Sequence, residues 1–346
     1  MRKLGFGIIG TGAIAEKHAM AIRSLDEAVL LAVCSSTSDR AGVAADKYGV
    51  AAYADISLFL EHEGLDVVCV CTSSGNHLHP ALAAAAKGKH ILTEKPIEIN
   101  LNRARQIIAA CQENDVKLGV IFQNRFNKAY QELKSAVEKG LFGKLLMGNA
   151  AINWFRDSAY YQSSPWKGTL AGDGGGALIN QGIHTLDLLL DLMGPAETVS
   201  SQVQTAFHQI EGEDLSAAVV KFKSGALGTI SAATCLFPGY PERLEIFGTE
   251  GSAVLAGGEM ISYTFKNGTR PFSISGEKKS SGASDPMAIG HQLHAAQIKD
   301  MVDAILYNRK PEVDGIEGIK SLQLIEAIYS SSNNGGAVKH LKDFLK

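Results

Sequence analysis

The chain has 346 residues, which at roughly 100 to 200 residues per domain predicts two domains, each with its own core. Lysine and arginine number 33 and aspartate and glutamate 36, so the net charge is −3. This balance argues against nucleic acid or an anionic membrane as the main partner, because such partners need a clustered cationic excess. A hydrophobic content of 45% excludes a wholly disordered chain.

The first third of the sequence alternates short β-branched runs with helical segments. In order, we predict strand Leu4–Ile9, helix 13–24, strand 29–34, helices 40–48 and 56–62, strand 65–71, helix 79–87, strand 90–92, helix 101–113 and strand 117–122. Such alternation is typical of parallel strands joined by crossover helices. The pattern therefore predicts an α/β domain with a doubly wound parallel sheet over residues 1–122.

The pattern changes after Gln123. We predict helix 128–139, an extended stretch, a glycine-rich turn, helix 177–193, strands 198–207, 217–222, 226–233 and 243–247, and closing helices 292–307 and 316–330. Lys223-Ser224-Gly225 joins the two middle strands as a hairpin. Residues 123–346 are thus predicted to form an α+β domain with a large, mostly antiparallel open sheet, and the Gly/Ser-rich residues 273–284 an exposed loop.

Cysteines and apolar runs indicate neither disulfides nor a membrane span. The five cysteines are an odd count without C-x-x-C spacing, so we expect no disulfide framework and no metal site. Cys69 and Cys71 lie in an apolar run and are expected to be buried hydrophobes. No apolar stretch approaches the roughly 18 residues of a membrane span, and no signal peptide is expected, which predicts a cytoplasmic protein with no membrane partner.

A glycine-rich turn follows the first predicted strand. Gly10-Thr11-Gly12-Ala13-Ile14-Ala15 matches G-x-G-x-x-G/A and opens the first helix. In such a turn, the first glycine permits the tight bend and the second lets the backbone approach a pyrophosphate at the helix N-terminus. An ordinary strand–helix turn is the alternative, but the position at the first junction of a full alternating series favours a Rossmann dinucleotide-binding domain.

The end of the second strand bears on the choice of cofactor. NAD sites usually place an acid about 20 residues after the glycine turn, to accept the ribose hydroxyls. Here Ser35 and Ser36 follow the strand, and Arg40 is placed to pair with a 2′-phosphate. These residues favour NADP, with NAD as the alternative. Asp39 acting as an N-cap, with Arg40 in solvent, is the competing interpretation.

Two further positions carry candidate chemistry. Lys95 follows the fifth predicted strand, where the carboxyl ends of parallel strands border a ligand crevice. On helix 177–193, Asn180 and His184 share a face, and each follows directly in the sequence a residue of an apolar stripe. The glycines at 174–176 are expected to let a ligand approach this helix closely. Asp187 and Asp191 continue the same face and are interpreted as a solvated edge.

Several motifs together resemble the glucose–fructose oxidoreductase / inositol dehydrogenase (Gfo/Idh/MocA) family. They are the glycine turn, Cys71-Thr72-Ser73-Ser74-Gly75-Asn76-His77, Gly88-Lys89-His90 leading into Glu94-Lys95-Pro96, Gln123-Asn124-Arg125-Phe126, residues 175–187 and Ile325-Glu326-Ala327-Ile328-Tyr329. Glu-Lys-Pro is the most specific of these, and the match runs nearly end to end.

The resemblance implies an NAD(P)-dependent oxidoreductase that moves a hydride between the nicotinamide and a carbinol or carbonyl carbon of a sugar, polyol or sugar derivative. Lys95 and His184 match the family's catalytic lysine and histidine. The resemblance implies cofactor contacts from the following residues: Gly10, Thr11, Gly12, Ala13, Ile14, Ser35, Ser36, Arg40, Thr72, Asn76, His77, Glu94 and Lys95. The resemblance also implies a homodimer or homotetramer formed through the open face of the second sheet.

The substrate is expected to meet Asn180 and residues of an aromatic and cationic cluster. We expect Arg125, Arg156, Tyr161 and Trp166 to bind it, beside Trp154, Tyr160 and Lys167. A sugar-stacking wall with charges for a carboxylate or phosphate and an interdomain packing loop are equally compatible with this cluster. Inositol dehydrogenases often have aspartate at position 180, so asparagine favours a sugar-nucleotide uronate. The alternatives are an inositol-type polyol dehydrogenase and an NADP(H) sensor without turnover.

Overall fold

A computed structural model describes residues 2–274 and 290–345. The chain divides into two compact units. Unit 1 comprises Met1–Gln123 with Gly290–Ile319, and unit 2 comprises Asn124–Ile289 with Lys320–Lys346. From residue 275 onward, the predicted loop at 273–284 lies outside the described residues.

Strands and helices are numbered in chain order over the described residues. The strands are β1 Leu4–Ile9, β2 Ala28–Cys34, β3 Ala51–Tyr53, β4 Leu65–Val70, β5 His90–Thr93, β6 Leu118–Val120, β7 Leu145–Asn153, β8 Ala196–Gln204, β9 Leu215–Phe222, β10 Leu227–Ala233, β11 Arg243–Gly248, β12 Gly251–Ala256, β13 Glu259–Phe265 and β14 Lys339–His340. The α-helices are α1 Ala13–Arg23, α2 Ser38–Tyr48, α3 Ile56–Leu60, α4 Leu78–Ala86, α5 Leu101–Glu113, α6 Lys128–Glu138, α7 Ser158–Gln162, α8 Leu170–Asp173, α9 Ile183–Met193, α10 Gln292–Leu306 and α11 Gly315–Asn333.

Unit 1 is built on a parallel sheet. In the described part of the chain its six strands run in the order β3-β2-β1-β4-β5-β6, and each neighbouring pair is parallel. The strand order reverses between β1 and β4, as in doubly wound sheets that bind a ligand outside the carboxyl ends of the strands. The predicted fold class is confirmed. Cys69 and Cys71 are buried in its core, as predicted.

The C-terminal segment 290–319 differs from its predicted place in the second domain. It groups with unit 1, because Ile298, Met301 and Val302 on α10 are buried in one apolar core cluster with Ala15 and Ala19 on α1. The first boundary, between residues 123 and 124, lies one residue from the predicted one. The helix α10, which comes from far along the chain, thus packs into the core of unit 1.

Unit 2 carries an open mixed sheet. Over residues 124–274 and 320–345, eight strands run in the order β13-β12-β11-β7-β10-β9-β8-β14, and only β7 and β10 pair in parallel. The mostly antiparallel arrangement is confirmed, although β7 was predicted only as an extended stretch and β12 and β13 were missed. One face packs under α9, where a Cβ at Gly148 would lie 2.7 Å from Met193 Cγ.

The predicted helix 177–193 changes type along its length. Ala177–Gly182 forms a π-helix, and Ile183–Met193 continues as α9. The predicted apolar stripe is buried, with Ile179, Ile183 and Leu186 fully enclosed. π-helical turns are rare and occur frequently at functional sites, so this local change of helix type marks the segment that carries Asn180 and leads into His184.

Candidate functional site

The glycine turn presents an open helix N-terminus. Gly10 has φ +100°, and a Cβ there would lie 2.5 Å from the carbonyl oxygen of Cys71, so this position requires glycine. Gly12 is the N-cap residue of α1 and supplies no side-chain cap, while a Cβ built on it meets nothing within 4 Å. The first amide groups of α1 thus border free space, and a negatively charged phosphate is the ligand that such a terminus prefers. Thr11, Ala13 and Ile14 lie in the same turn.

The end of β2 places one hydroxyl close to that turn. Ser35 is buried, and its Oγ lies 2.9 Å from Thr11 Oγ1. Ser36 and Arg40 are exposed. Thr37 caps α2 by accepting a hydrogen bond from the Arg40 backbone N–H at 3.3 Å, so the competing interpretation of Asp39 as the N-cap is wrong. The Arg40 side chain therefore stays at the surface of the first turn of α2.

The loop after β4 is held by its own side chains. Thr72 Oγ1 donates to the carbonyl oxygen of Asn76 at 2.9 Å, and Asn76 Nδ2 donates to Ser73 Oγ at 2.7 Å. His77 is buried, with Nδ1 2.9 Å from the carbonyl oxygen of Pro96 and Nε2 3.2 Å from that of Thr72. The imidazole thus ties this loop to the turn that carries Lys95, a supporting contact that its predicted cofactor role did not anticipate.

Glu94 is held next to Lys95 by a hydrogen bond with His18, and His294 lies nearby. Glu94 is 6% exposed, and its Oε1 lies 2.9 Å from His18 Nε2 on α1 and 3.7 Å from His294 Nε2 on α10. Its Oε2 accepts the Lys95 backbone N–H at 3.2 Å. Burial favours the neutral acid, but the bond from His18 and the neighbouring His294 lower the pKa of Glu94 well below its usual range. Glu94 therefore fixes the backbone of Lys95, the candidate catalytic lysine.

These three side chains also contain metal-binding atoms. Among residues 2–274 and 290–345, His18, Glu94 and His294 form the one group whose ligand atoms lie within 4.8 Å of one another. A hydrogen bond already joins the facing atoms of His18 and Glu94, so a metal would have to replace it. We interpret the group as a hydrogen-bonded cluster, and the expectation of no metal site stays a prediction.

Asp173 fixes the side-chain amide of Asn180. Asn180 Nδ2 donates to Asp173 Oδ1 at 2.6 Å, and Asp173 Oδ2 accepts the Gly168 N–H at 3.0 Å. Asp173 is 2% exposed, so its carboxylate is a rigid partner that sets which way the amide faces. His184 is the second residue of α9 and is partly exposed. Asn180 and His184 thus lie on one continuous helical segment, and their shared face stays a prediction.

The aromatic and cationic residues lie together within unit 2. The Arg156 guanidinium carbon is 4.9 Å from the Trp154 ring centroid and 5.4 Å from that of Tyr160, and Lys167 Nζ is 4.1 Å from the latter. Gln181 Nε2 donates to the Tyr160 hydroxyl at 3.0 Å. Burial raises the pKa of Tyr160 to about 12, so its hydroxyl stays protonated. The cluster thus combines ring faces and two cations around a neutral phenol.

Two other predicted substrate residues flank this cluster. Tyr161 Oη lies 2.7 Å from Thr234 Oγ1, and its ring centroid lies 4.8 Å from that of His208. Trp166 is partly buried, and its carbonyl oxygen accepts the backbone N–H of Thr169 at 3.2 Å. Both side chains therefore lie on short, internally bonded turns of unit 2.

Arg125 and the two aspartates on α9 form a buried network. Arg125 Nε and Nη2 each donate to an oxygen of Asp187 at 2.8 Å, and Nη1 lies 3.3 Å from Asp191 Oδ1. Tyr130 and Lys134 on α6 also donate to Asp191. The interpretation of Asp187 and Asp191 as a solvated edge is wrong, because the Asp187 side chain is 1% exposed. The bidentate geometry favours a structural role for Arg125, and its predicted contact with substrate stays a prediction.

Sequence reasoning missed several residues that support these sites. His18 stands at helical spacing among buried positions of α1, which is a signal that sequence alone offers. His294 stands in the same way among buried positions of α10, whereas Gln181 is found only from its hydrogen bond to Tyr160 in the fold. None of the helices among the described residues is long and apolar enough to cross a membrane.

Comparison with known proteins agrees with both units. Residues 4–122 match the model of an oxidoreductase family with an NAD-binding Rossmann fold, and residues 130–254 match the Gfo/Idh/MocA C-terminal domain. The myo-inositol 2-dehydrogenase of Thermotoga maritima is 32% identical over 71% of this chain and 73% of that enzyme. The D-apiose dehydrogenase of Paraburkholderia graminis is 26% identical over 96% of this chain and 88% of that enzyme.

A solved structure extends the likeness over almost the whole chain. The WlbA dehydrogenase of Bordetella pertussis, in complex with NADH and UDP-GlcNAcA, has a TM-score of 0.86 and 30% identity, and the match covers 97% of this chain and 98% of that one. The chain therefore belongs to the Gfo/Idh/MocA family, as its motifs predicted, and is an NAD(P)-dependent oxidoreductase of that family.

Proposed function

We propose that this protein is a dehydrogenase or reductase that acts on a CH–OH carbon of a sugar, polyol or sugar derivative. The observation that carries the proposal is the open N-terminus of α1, where Gly12 leaves the backbone amides accessible to a pyrophosphate. The dehydrogenases among its relatives support the class of substrate.

The cofactor is proposed to be held by the glycine turn and by the end of β2. Nicotinamide supplies hydride transfer when bound. Ser35, Ser36 and Arg40 support NADP as the preferred form, since no carboxylate stands at the end of β2 to repel a 2′-phosphate. NAD is the alternative, and the related WlbA structure contains NADH.

His184 and Lys95 are proposed to share the proton chemistry. In oxidation, His184 accepts the proton of the substrate hydroxyl, and Lys95 donates a hydrogen bond to the same oxygen and stabilises its developing negative charge. In reduction His184 returns the proton. Asn180, whose amide is oriented by Asp173, is proposed to bind a neighbouring hydroxyl without adding charge.

The substrate is proposed to carry an anionic group, as a sugar-nucleotide uronate does. Arg156 and Lys167 bring two cations to one aromatic ring, and burial lowers the pKa of Lys167, with Asp173 opposing this and Arg156 adding to it. A bound carboxylate or phosphate would relieve this repulsion. An inositol-type polyol is the second candidate, favoured by the Thermotoga maritima relative.

A turnover assay tests the proposal and separates an enzyme from a cofactor sensor. The protein is mixed with NADP or NAD and with sugar-nucleotide uronates, free uronates, inositols and aldoses, and absorbance at about 340 nm is followed as the reduced nicotinamide forms. We expect an anionic sugar derivative to give the highest kcat/KM. Higher kcat/KM with myo-inositol would reject the anionic substrate, whereas silence across this small panel would not establish the sensor.

Assembly and location complete the proposal. We propose a homodimer or homotetramer that forms through the exposed face of the eight-stranded sheet, where Val219 and Leu227 are 55% and 51% exposed. A cytoplasmic location stays a prediction from the sequence.

A further inference from the structure

The carboxylate of Glu213 collects hydrogen bonds from two distant parts of unit 2. Its Oε1 accepts the Leu178 N–H at 2.7 Å, and its Oε2 accepts the Gly176 N–H at 2.9 Å. The hydroxyl of Tyr329 on α11 donates to the same Oε2 at 2.9 Å. The backbone carbonyl of Glu213 also accepts the Ala177 N–H at 2.9 Å. Three consecutive amides at the start of the π-helix thus end on one residue that precedes β9.

Such amides need a partner from outside the helix. The first N–H groups of a helix have no acceptor within it. The residue before this π-helix is Gly176, which has no side chain that could cap the helix. Glu213 is 6% exposed, so water does not replace its oxygens freely. The carboxylate therefore satisfies donors that would otherwise be buried and unbonded.

The glycines before the π-helix serve this contact. A Cβ at Gly176 would lie 1.7 Å from the carbonyl oxygen of Glu213, and one at Gly175 would lie 2.3 Å from the Tyr329 hydroxyl. The sequence pattern had suggested that these glycines admit a ligand. The structure fills their space with protein atoms, so the glycine-rich turn has the close packing that a fixed anchor requires.

We infer that Glu213, together with Tyr329, is a positioning residue for Asn180 and His184. Hydrogen bonds connect Glu213 to Asn180 through Gly176: Glu213 holds the Gly176 N–H, and the Gly176 carbonyl accepts the Asn180 N–H at 3.1 Å. The π-helix then passes into α9 at residue 183, directly before His184. The roles of Asn180 and His184 rest on the proposed function, whereas the anchor does not.

The experiment compares Tyr329→Phe and Glu213→Gln with Ser331→Ala. Ser331 lies on the same helix and is buried, but it bonds Ser201 and Ala337 instead of the π-helix. Hydrogen exchange of peptides covering residues 174–184 reports on the anchor, and NMR titration of ¹³C-labelled histidine, assigned with His184→Gln, reports on the imidazole.

We expect both anchor variants to raise exchange in 174–184 at least tenfold (about 1.4 kcal/mol per factor of ten) and to shift the His184 titration, while Ser331→Ala does neither. Cofactor affinity is expected to stay unchanged, and kcat to fall at least tenfold with any substrate found. Unchanged exchange in both anchor variants would overturn the inference, as would an equal rise in Ser331→Ala. If Glu213→Gln does not fold, Tyr329→Phe decides alone. Because exchange and titration need no substrate, absence of turnover would count against the proposed function only.

Discussion

Lys95 and His184 are the side chains on which the proposed chemistry depends. Replacing either by alanine removes a hydrogen-bonding or proton-accepting group, which contributes roughly 10²- to 10⁴-fold to such reactions. We expect Lys95→Ala and His184→Ala to lower kcat by that factor and to leave the cofactor Kd unchanged, as measured by steady-state kinetics and fluorescence titration. Lys87→Ala, at an exposed lysine paired with Glu61, is the control. Activity close to that of the unaltered protein would remove the residue from the mechanism.

Arg40 tests the choice of cofactor. An exposed guanidinium adds affinity for a 2′-phosphate and nothing for the ribose hydroxyl of NAD. Arg40→Ser is expected to lower kcat/KM for NADP about tenfold or more, the equivalent of at least 1.4 kcal/mol, and to leave the value for NAD within about twofold. Equal loss with both cofactors would show that Arg40 does not recognise the phosphate.

The raised pKa of the Glu213 carboxyl group predicts that the stability of the protein depends on pH. Burial raises the pKa of this carboxyl from an ordinary 4.5 to about 7, outweighing the hydrogen bonds that it accepts. The unfolded chain then releases the proton of this carboxyl near pH 4.5, whereas the folded chain keeps it until about pH 7. The contribution of Glu213 to the free energy of unfolding is therefore present below pH 4.5 and is lost as the pH rises to 7.

Urea unfolding between pH 4.5 and 8 measures this loss. The free energy of unfolding is expected to fall across the window by about 3 kcal/mol more in the unaltered protein than in Glu213→Gln, whose amide does not titrate. Parallel curves for the two proteins would contradict the raised pKa.

At the level of elements, the Arg125 network joins the turn before α6 to α9. Asp187→Asn would leave the Arg125 guanidinium, whose side chain is 4% exposed, without its bidentate partner. Breaking a buried pair on one side costs about 3 to 5 kcal/mol. We expect a loss of that size in urea unfolding, against less than about 1 kcal/mol for Glu132→Gln, which breaks an exposed pair with Lys128. Similar losses in both variants would mean that the buried network adds no special stability.

At the level of the whole molecule, the open sheet face predicts association between copies. Val219, Leu227 and Phe247 are exposed on β9, β10 and β11 of one sheet, and an apolar face of this kind is stabilised by burial against a second copy. We expect light scattering to give a multiple of the monomer mass, and Val219→Lys with Leu227→Lys to reduce it. Val43→Lys, at an exposed apolar position on α2, should not change the mass. A monomeric unaltered protein would refute the predicted oligomer.

The sequence by itself determined what depends on local patterns. Alternating strands and helices predicted the parallel sheet, because each crossover helix follows its strand directly in the chain. Apolar spacing predicted the buried stripe Ile179, Ile183 and Leu186, since helical periodicity selects one face. The glycine turn and the Glu-Lys-Pro motif identified the family for a similar reason: each is a short run of consecutive residues that can be recognised without knowing its partners in the fold.

Only the tertiary structure decided which distant residues meet. It brought α10 onto unit 1, paired Arg125 with Asp187, and set Glu213 and Tyr329 against the glycines before the π-helix. A charged or polar side chain has many potential partners along the chain, and its own type does not select among them. Burial makes that selection, because a polar group removed from water must be paired with whichever group the fold places beside it.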